Sequence, residues 1–242
     1  MYFLSLPEGE FEQAYLRVRQ QEGRLYPDRW VRQLPELPKE HPHHAEWRLR
    51  QYNTKRLLTY LKGRPGHTWL DLGCGNGWLA HRLAAEADKQ VLGVDINLPE
   101  LEQAVRLFDA PNCRFAYGDV FEDCWPSTAF DGIILNSCIQ YFSDLDSLID
   151  RLRQLLRPKG EIHILDSPFY EQSELAAARD RSRRYYEEQG VVEMQGKYHH
   201  HSWESLQAHT PQLYYQPQHW TNRLRRRLLG QGTPFPWIII RA

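Results

Sequence analysis

The 242-residue sequence has no long apolar run, only four cysteines and almost no net charge. No segment approaches the roughly 20 apolar residues of a membrane-spanning helix, so no membrane contact is expected. The first residues, Met1-Tyr2-Phe3-Leu4-Ser5-Leu6-Pro7-Glu8, have no basic start and too short an apolar core for a secretory signal. A cytoplasmic location is expected. Cys74, Cys113, Cys124 and Cys138 stand at no metal-like or redox-pair spacing, which predicts free thiols and no metal centre. With 30 Lys and Arg against 31 Asp and Glu, the chain lacks the basic excess of a general nucleic-acid binder. Internal repeats and low-complexity tracts are missing too. The remaining composition, 41% hydrophobic and 25% charged, is that of a globular chain with one sizeable domain or two small ones.

What is present is organised around Trp69-Leu70-Asp71-Leu72-Gly73-Cys74-Gly75-Asn76-Gly77-Trp78-Leu79. An apolar run enters three alternating glycines, and Leu79, Leu83 and Ala84 then share one side of a segment. This predicts a buried strand, a tight turn and a helix. Glycines allow positive φ and close approach of a ligand, and the N–H groups at the new helix's start favour a polar or anionic one.

The same alternation continues. Gln90 to Ile96, Cys113 to Tyr117, Phe130 to Leu135 and Glu161 to Asp166 read as strands. Between them, Leu101, Ala104, Val105 and Phe108 define one helix, started by Asn97 and Pro99. Leu145, Leu148, Ile149, Leu152, Leu155 and Leu156 define another, ended by Arg157-Pro158-Lys159-Gly160. Strands alternating with helices indicate βαβ units and a parallel sheet, whose ligands sit beyond the carboxyl ends of the strands. Those ends carry Asp71, Gly73, Asp95, Asp119, Asn136 and Asp166.

Residues 1–65 read as an N-terminal helical extension. Phe11, Ala14, Tyr15 and Val18 have helical spacing up to Gly23, and His43 to Lys62 forms a second helix. In the last third, Glu174 to Gln189 is helical and charged, and Gly196 to Pro211 is polar, histidine-rich and without period. Leu213-Tyr214-Tyr215 and Trp237-Ile238-Ile239-Ile240 close the chain as strands around a helix marked by Trp220, Leu224 and Leu228.

The glycine spacing is neither the G-x-G-x-x-G of dinucleotide-binding folds nor a Walker loop. Asp95, about 20 residues past the glycines, is placed to accept both hydroxyls of a ribose, and Asp119 to meet a base's amino group. Each acid taken alone also suits a strand-end turn or helix cap.

Together, Asp71-Leu72-Gly73-Cys74-Gly75-Asn76-Gly77, Asp95, Gly118-Asp119-Val120 and the run from Phe130 to Arg157-Pro158-Lys159-Gly160-Glu161-Ile162 resemble class I S-adenosylmethionine-dependent methyltransferases over residues 67–169. Lys159 replaces a glycine of that family's last turn. The resemblance implies an α/β fold, a Rossmann-like three-layer sandwich. Its sheet would be seven-stranded and mostly parallel, with an antiparallel last strand and an N-terminal helical cap. It implies a cap over 1–65, a methyltransferase domain over 66–242 and a substrate-side insertion at 170–212. S-adenosyl-L-methionine is the expected cofactor. The expected cofactor residues are Asp71, Gly73, Cys74, Gly75, Asn76, Gly77, Asp95, Ile96, Asp119, Val120, Asn136 and Ser137. Arg48 joins them, since it or Arg50 could pair with the cofactor's carboxylate; either arginine also suits a solvated helix face.

The fourth-strand end lacks an Asn-Pro-Pro-Tyr motif, which argues against methylation of DNA adenine or protein glutamine. Gln140 or Tyr141 faces the acceptor, or Tyr141-Phe142 packs the next helix. The candidates for a proton acceptor are Tyr141, His199, His200 and His201. A second histidine group, His41, His43 and His44, has no supporting metal-ligand pattern. The basic runs Arg179 to Arg184 and Arg223 to Arg227 read as solvated helix faces. The expected partner is a small-molecule acceptor. RNA or protein methylation, or cofactor binding without turnover, are the alternatives. Oligomeric state is left open.

Overall fold

A computed structural model describes residues 2–4, 9–230 and 232–242. Its strands are β1 (Tyr2–Phe3), β2 (Thr68–Leu72), β3 (Gln90–Asp95), β4 (Cys113–Tyr117), β5 (Phe130–Asn136), β6 (Leu156–Leu165), β7 (Gln212–Tyr215) and β8 (Trp237–Arg241). They form one sheet in the order β1-β4-β3-β2-β5-β6-β8-β7. Strands β1 to β6 pair in parallel, and β8 runs antiparallel to both β6 and β7.

The sheet has eight strands where seven were expected. The extra one is β1, which adds Tyr2 and Phe3 beside Ala116 and Tyr117 at the edge. A two-residue strand is too short to show any period in sequence. The Arg157–Gly160 turn also differs. The preceding helix stops at Leu155, and β6 starts at the next residue. Phe130 pairs with Leu156 but Gly132 with Glu161, so the expected turn is absorbed as a bulge in which Lys159 takes φ +68°.

The helices are α1 (Gly9–Gln21), α2 (Asp28–Val31), α3 (His44–Leu61), α4 (Trp78–Glu86), α5 (Leu98–Phe108), α6 (Leu145–Leu155), α7 (Leu175–Glu188), α8 (Trp203–Gln207) and α9 (Trp220–Leu229). The strands' two-residue period sorts their apolar side chains between two layers. Trp69, Ile134, Trp237 and Ile239 pack with α3, α4 and α5. Leu70, Leu72, Ile133, Leu135, Ile238 and Ile240 pack with α6. Leu148, Ile149, Leu152 and Leu155 give α6 a fully buried stripe.

A third, smaller cluster lies apart from these. Ala14 and Val18 of α1 meet Tyr186 of α7 and Val191 and Met194 just beyond it. This joins the start of the described chain to residues 170–212, above the carboxyl ends of the strands.

Candidate cofactor and acceptor site

Two adjoining cavities open at the carboxyl ends of β2 to β5, with volumes of about 450 and 320 Å³. Both are lined by Tyr15, Gly73, Gly75, Ser137 and Tyr141. The glycine turn between β2 and α4 forms their common floor. Gly73, Gly75 and Gly77 take φ of +72°, +52° and +75°. The N–H groups of Gly73 and Cys74 both donate to Val94 O, at 2.8 and 3.1 Å, which ties the turn to β3.

The smaller cavity holds Asp95, Ile96, Asp119 and Val120 from the ends of β3 and β4. The Asp95 carboxylate accepts from Gly75 N at 2.7 Å and from Asn97 N at 2.9 Å. One acid therefore fixes the turn and the entry to α5 together. Burial raises its pKa, opposed by those backbone N–H groups.

Around the larger cavity stand Asp71, Cys74, Asn76, Asn136, Glu100 and Arg50. Asp71 Oδ2, Asn76 Oδ1, Gln140 Oε1 and Arg50 Nε are buried with no hydrogen-bond partner among the described residues. Orphaned polar atoms are costly in a folded interior, and four beside one cavity mark a site shaped for a polar ligand. Ser137 stands at φ +62°, where its Oγ donates to Asp166 O at 3.1 Å and accepts from Arg50 Nη2 at 3.4 Å.

Burial, and then the neighbouring Asp95, push the Asp71 carboxyl up to about 8. Burial likewise pushes Glu100 up to about 7, against the pull of Arg19. Acids with raised pKa stay protonated in the fold after the unfolded chain has ionised. Without ligand, stability should therefore fall as pH rises from about 4 towards 8, with a steepest slope near 1.4 kcal/mol per pH unit for each group. Thermal midpoints across that range check this. Asp71→Asn should flatten the profile, and an unchanged slope would remove Asp71 as its source.

Arg48 does not reach this site. Its Nη2 donates to Gly230 O at 2.6 Å, outside both cavities. Residues two apart on a helix point about 200° apart, so it is Arg50 that faces the cavity. The three histidines are also dispersed. His199 lines the smaller cavity. His200 is buried with Nε2 3.0 Å from Ser182 Oγ, and burial with nearby arginines lowers its pKa to about 4. His201 is turned to the Ile139 carbonyl at 3.1 Å. Neither His200 nor His201 lines either of these two cavities, which leaves His199 as the one of the three candidates beside them. Tyr141 does line both, packed edge-on against Phe11, Tyr15 and Tyr198, with its hydroxyl pushed up to about 12 by burial.

In the far wall of the larger cavity, the part supplied by α1 and the residues after it was not foreseen. It consists of Arg19 and Glu22 at the end of α1, Arg24 after it, and Tyr185, Tyr186 and Tyr198 from the 170–212 segment. Glu12 Oε1 accepts from Leu98 N at 2.5 Å, docking α1 onto the first turn of α5. Tyr185 donates to Glu22, and Arg24 pairs with Glu46 at 2.6 Å. Among the described residues no group of three His, Cys, Asp or Glu is disposed to hold a metal ion.

A parallel sheet with an antiparallel strand beside β6, a glycine turn after β2 and an acid ending β3 define the class I Rossmann-like methyltransferase fold. Residues 70–160 match the family model described as a methyltransferase domain. That stretch runs from β2 to the bulge in β6 and contains the glycine turn and Asp95. Over 96 residues the chain is 32% identical to an uncharacterized methyltransferase of Mycobacterium tuberculosis, covering 40% of this chain and 48% of that one. Over 145 residues it is 31% identical to 27-O-demethylrifamycin SV methyltransferase of Amycolatopsis mediterranei, covering 55% of this chain and 53% of the relative. The chain thus spans about half the length of these curated relatives. Its fold is similar to that of Haemonchus contortus phosphoethanolamine N-methyltransferase 2 in complex with S-adenosyl-L-methionine. That similarity has a TM-score of 0.57 at 17% identity and covers 97% of this chain and 60% of that one.

Proposed function

We propose that the chain transfers a methyl group from S-adenosyl-L-methionine to a small-molecule acceptor. The observation that carries this is the pair of joined cavities. One is lined by the strand-end acids Asp95 and Asp119. The other continues past the glycine turn into a compartment of tyrosines and arginines. In this reading Asp95 accepts the ribose hydroxyls, Asp119 and Val120 hold the adenine, and Ile96 covers it. Asp71, Asn76, Asn136 and Ser137 surround the methionine end, where Arg50 replaces Arg48 as partner of the carboxylate. Bound S-adenosylmethionine supplies an electrophilic sulfonium methyl group for in-line attack by the acceptor. The protein's share is to align the two molecules and to exclude water.

The acceptor compartment lies between Arg19, Tyr185, Tyr186, Tyr198 and Met194. Its closure by α1 and the 170–212 segment favours a small molecule over a polymer. The Arg19 guanidinium lies over the Tyr15 ring at 5.6 Å, and among the described residues its ion pair is the distant Glu22 Oε2 at 4.0 Å and its Nε has no hydrogen-bond partner. A cation so poorly satisfied favours an acceptor carrying an oxyanion.

The test uses methyl-labelled S-adenosylmethionine with a cell extract separated into small-molecule, RNA and protein fractions. Label is expected in the small-molecule fraction, and label confined to RNA or protein would overturn the reading. Cofactor binding should also release protons near neutral pH, because a cationic ligand lowers the pKa of Asp71 and Glu100. Calorimetry in two buffers of different ionisation enthalpy measures that release, and identical heats would remove both acids from the contact.

A further inference from the structure

Helix α9 has its amphipathic pattern turned outwards. None of its ten residues is buried. Trp220, Leu224 and Leu228 are 70%, 48% and 69% exposed. Four-residue steps place these three side chains within an arc of about 80°. The opposite side of the helix is the one that holds the protein: Asn222 Nδ2 donates to Gln216 O at 2.9 Å and Arg226 Nη1 to Thr233 O at 3.0 Å. Gly230, in the left-handed conformation at the helix end, is held by Arg48. The helix is thus fastened by its polar back, and its apolar stripe faces away from the body.

The charges around that stripe identify what it fits. Arg223 and Arg227 border it on one side and Arg225 on the other, and the helix contains no acid. Two copies meeting stripe to stripe would bring these arginines against each other. Single-stranded RNA would satisfy the arginines but leave Leu224 and Leu228 in water. An anionic lipid surface satisfies both sets, since the stripe enters the boundary of the acyl chains while guanidinium groups reach the phosphates. We propose that α9 is a membrane-surface contact that lays Trp220, Leu224 and Leu228 into an anionic lipid leaflet. No helix of the described residues is long and apolar enough to cross a membrane, and the contact lies in the plane of the surface. One short helix without a lipid anchor gives reversible, salt-sensitive attachment.

Co-sedimentation of the full chain with vesicles tests this. Binding is expected to vesicles of phosphatidylcholine mixed with phosphatidylglycerol, little to phosphatidylcholine alone, and less as salt is raised. The double variant Leu224→Ser and Leu228→Ser should lose at least about tenfold in partitioning, since both leucines forfeit transfer from water. Arg223→Glu with Arg227→Glu should lose a similar amount on anionic vesicles only. All four positions are exposed, so circular dichroism and S-adenosylhomocysteine binding should match the parent chain. Failure to bind either vesicle would overturn the proposal, as would equal binding by the leucine variant. So would a concentration-dependent dimer lost with the leucines, or binding of a single-stranded RNA oligonucleotide without vesicle binding.

Discussion

Replacing Asp95 by alanine is expected to weaken S-adenosylhomocysteine binding by roughly a hundredfold while leaving the chain folded. Hydrogen bonds to a charged group contribute about 1.5–3 kcal/mol each, so two ribose hydroxyls losing one carboxylate account for an effect of that size. The variant also frees Gly75 N and Asn97 N, now held at 2.7 and 2.9 Å, so the glycine turn loses its tie to the end of β3. Asp95→Asn should not rescue binding well, because its one carbonyl oxygen can accept from only one of these backbone N–H groups while its N–H₂ group faces the other. Calorimetry with S-adenosylhomocysteine gives the affinity, and circular dichroism checks the fold. Equal affinities for parent and Asp95→Ala would remove this acid from the cofactor site.

The largest effect on stability is expected at Gly77. A Cβ there would lie 2.6 Å from Phe115 Cε1 and 2.7 Å from Ala104 Cβ. Phe115 and Ala104 are fully buried and have nowhere to move. The residue also stands at φ +75°, which is strained for any β-branched side chain. Strain of about 1–2 kcal/mol plus overpacking of about 1–3 kcal/mol puts Gly77→Val near 3 kcal/mol or beyond, a large part of a domain's stability. Gly75 offers the contrast. Its added Cβ would meet only Glu100 Oε2, at an ordinary 3.4 Å, although it would line both cavities. Gly75→Ala should cost about 1–2 kcal/mol of stability but a larger share of cofactor affinity. Urea denaturation of both variants separates the two roles, and a native-like midpoint for Gly77→Val would contradict the packing argument.

The parts of this molecule that were legible in sequence are those specified by short-range chemistry. The glycine turn, the strand-end acids Asp95 and Asp119 and the buried stripe of α6 each show in fewer than a dozen consecutive residues. The share of α1 in the far wall of the larger cavity did not show, because α1 has the same apolar spacing as any helix packed on a core. Nothing local says that its neighbour will be residues near 190, where Arg17 meets Glu193 at 2.9 Å. Arg48 and Arg50 could not be separated without the rotational phase of α3. Which of His199, His200 and His201 would face a cavity could not be read either, because successive residues in an irregular segment point in different directions. In α9 the period was readable and its direction was not, since a stripe facing lipid and a stripe facing a core have the same spacing.

The third cluster, where α1 meets α7 and the turn after it, has a bearing on traffic through the site. Five buried residues, Ala14, Val18, Tyr186, Val191 and Met194, make up its interior. The ion pair beside them, Arg17 with Glu193, has both side chains more than half exposed and adds little. A seam with so small an interior parts at far lower cost than the sheet beneath it. Ligands can then come and go by breathing of α1 against α7 while the strand ends keep their geometry, so the tempo of exchange is set by a seam whose Tyr186 and Met194 also wall the larger cavity.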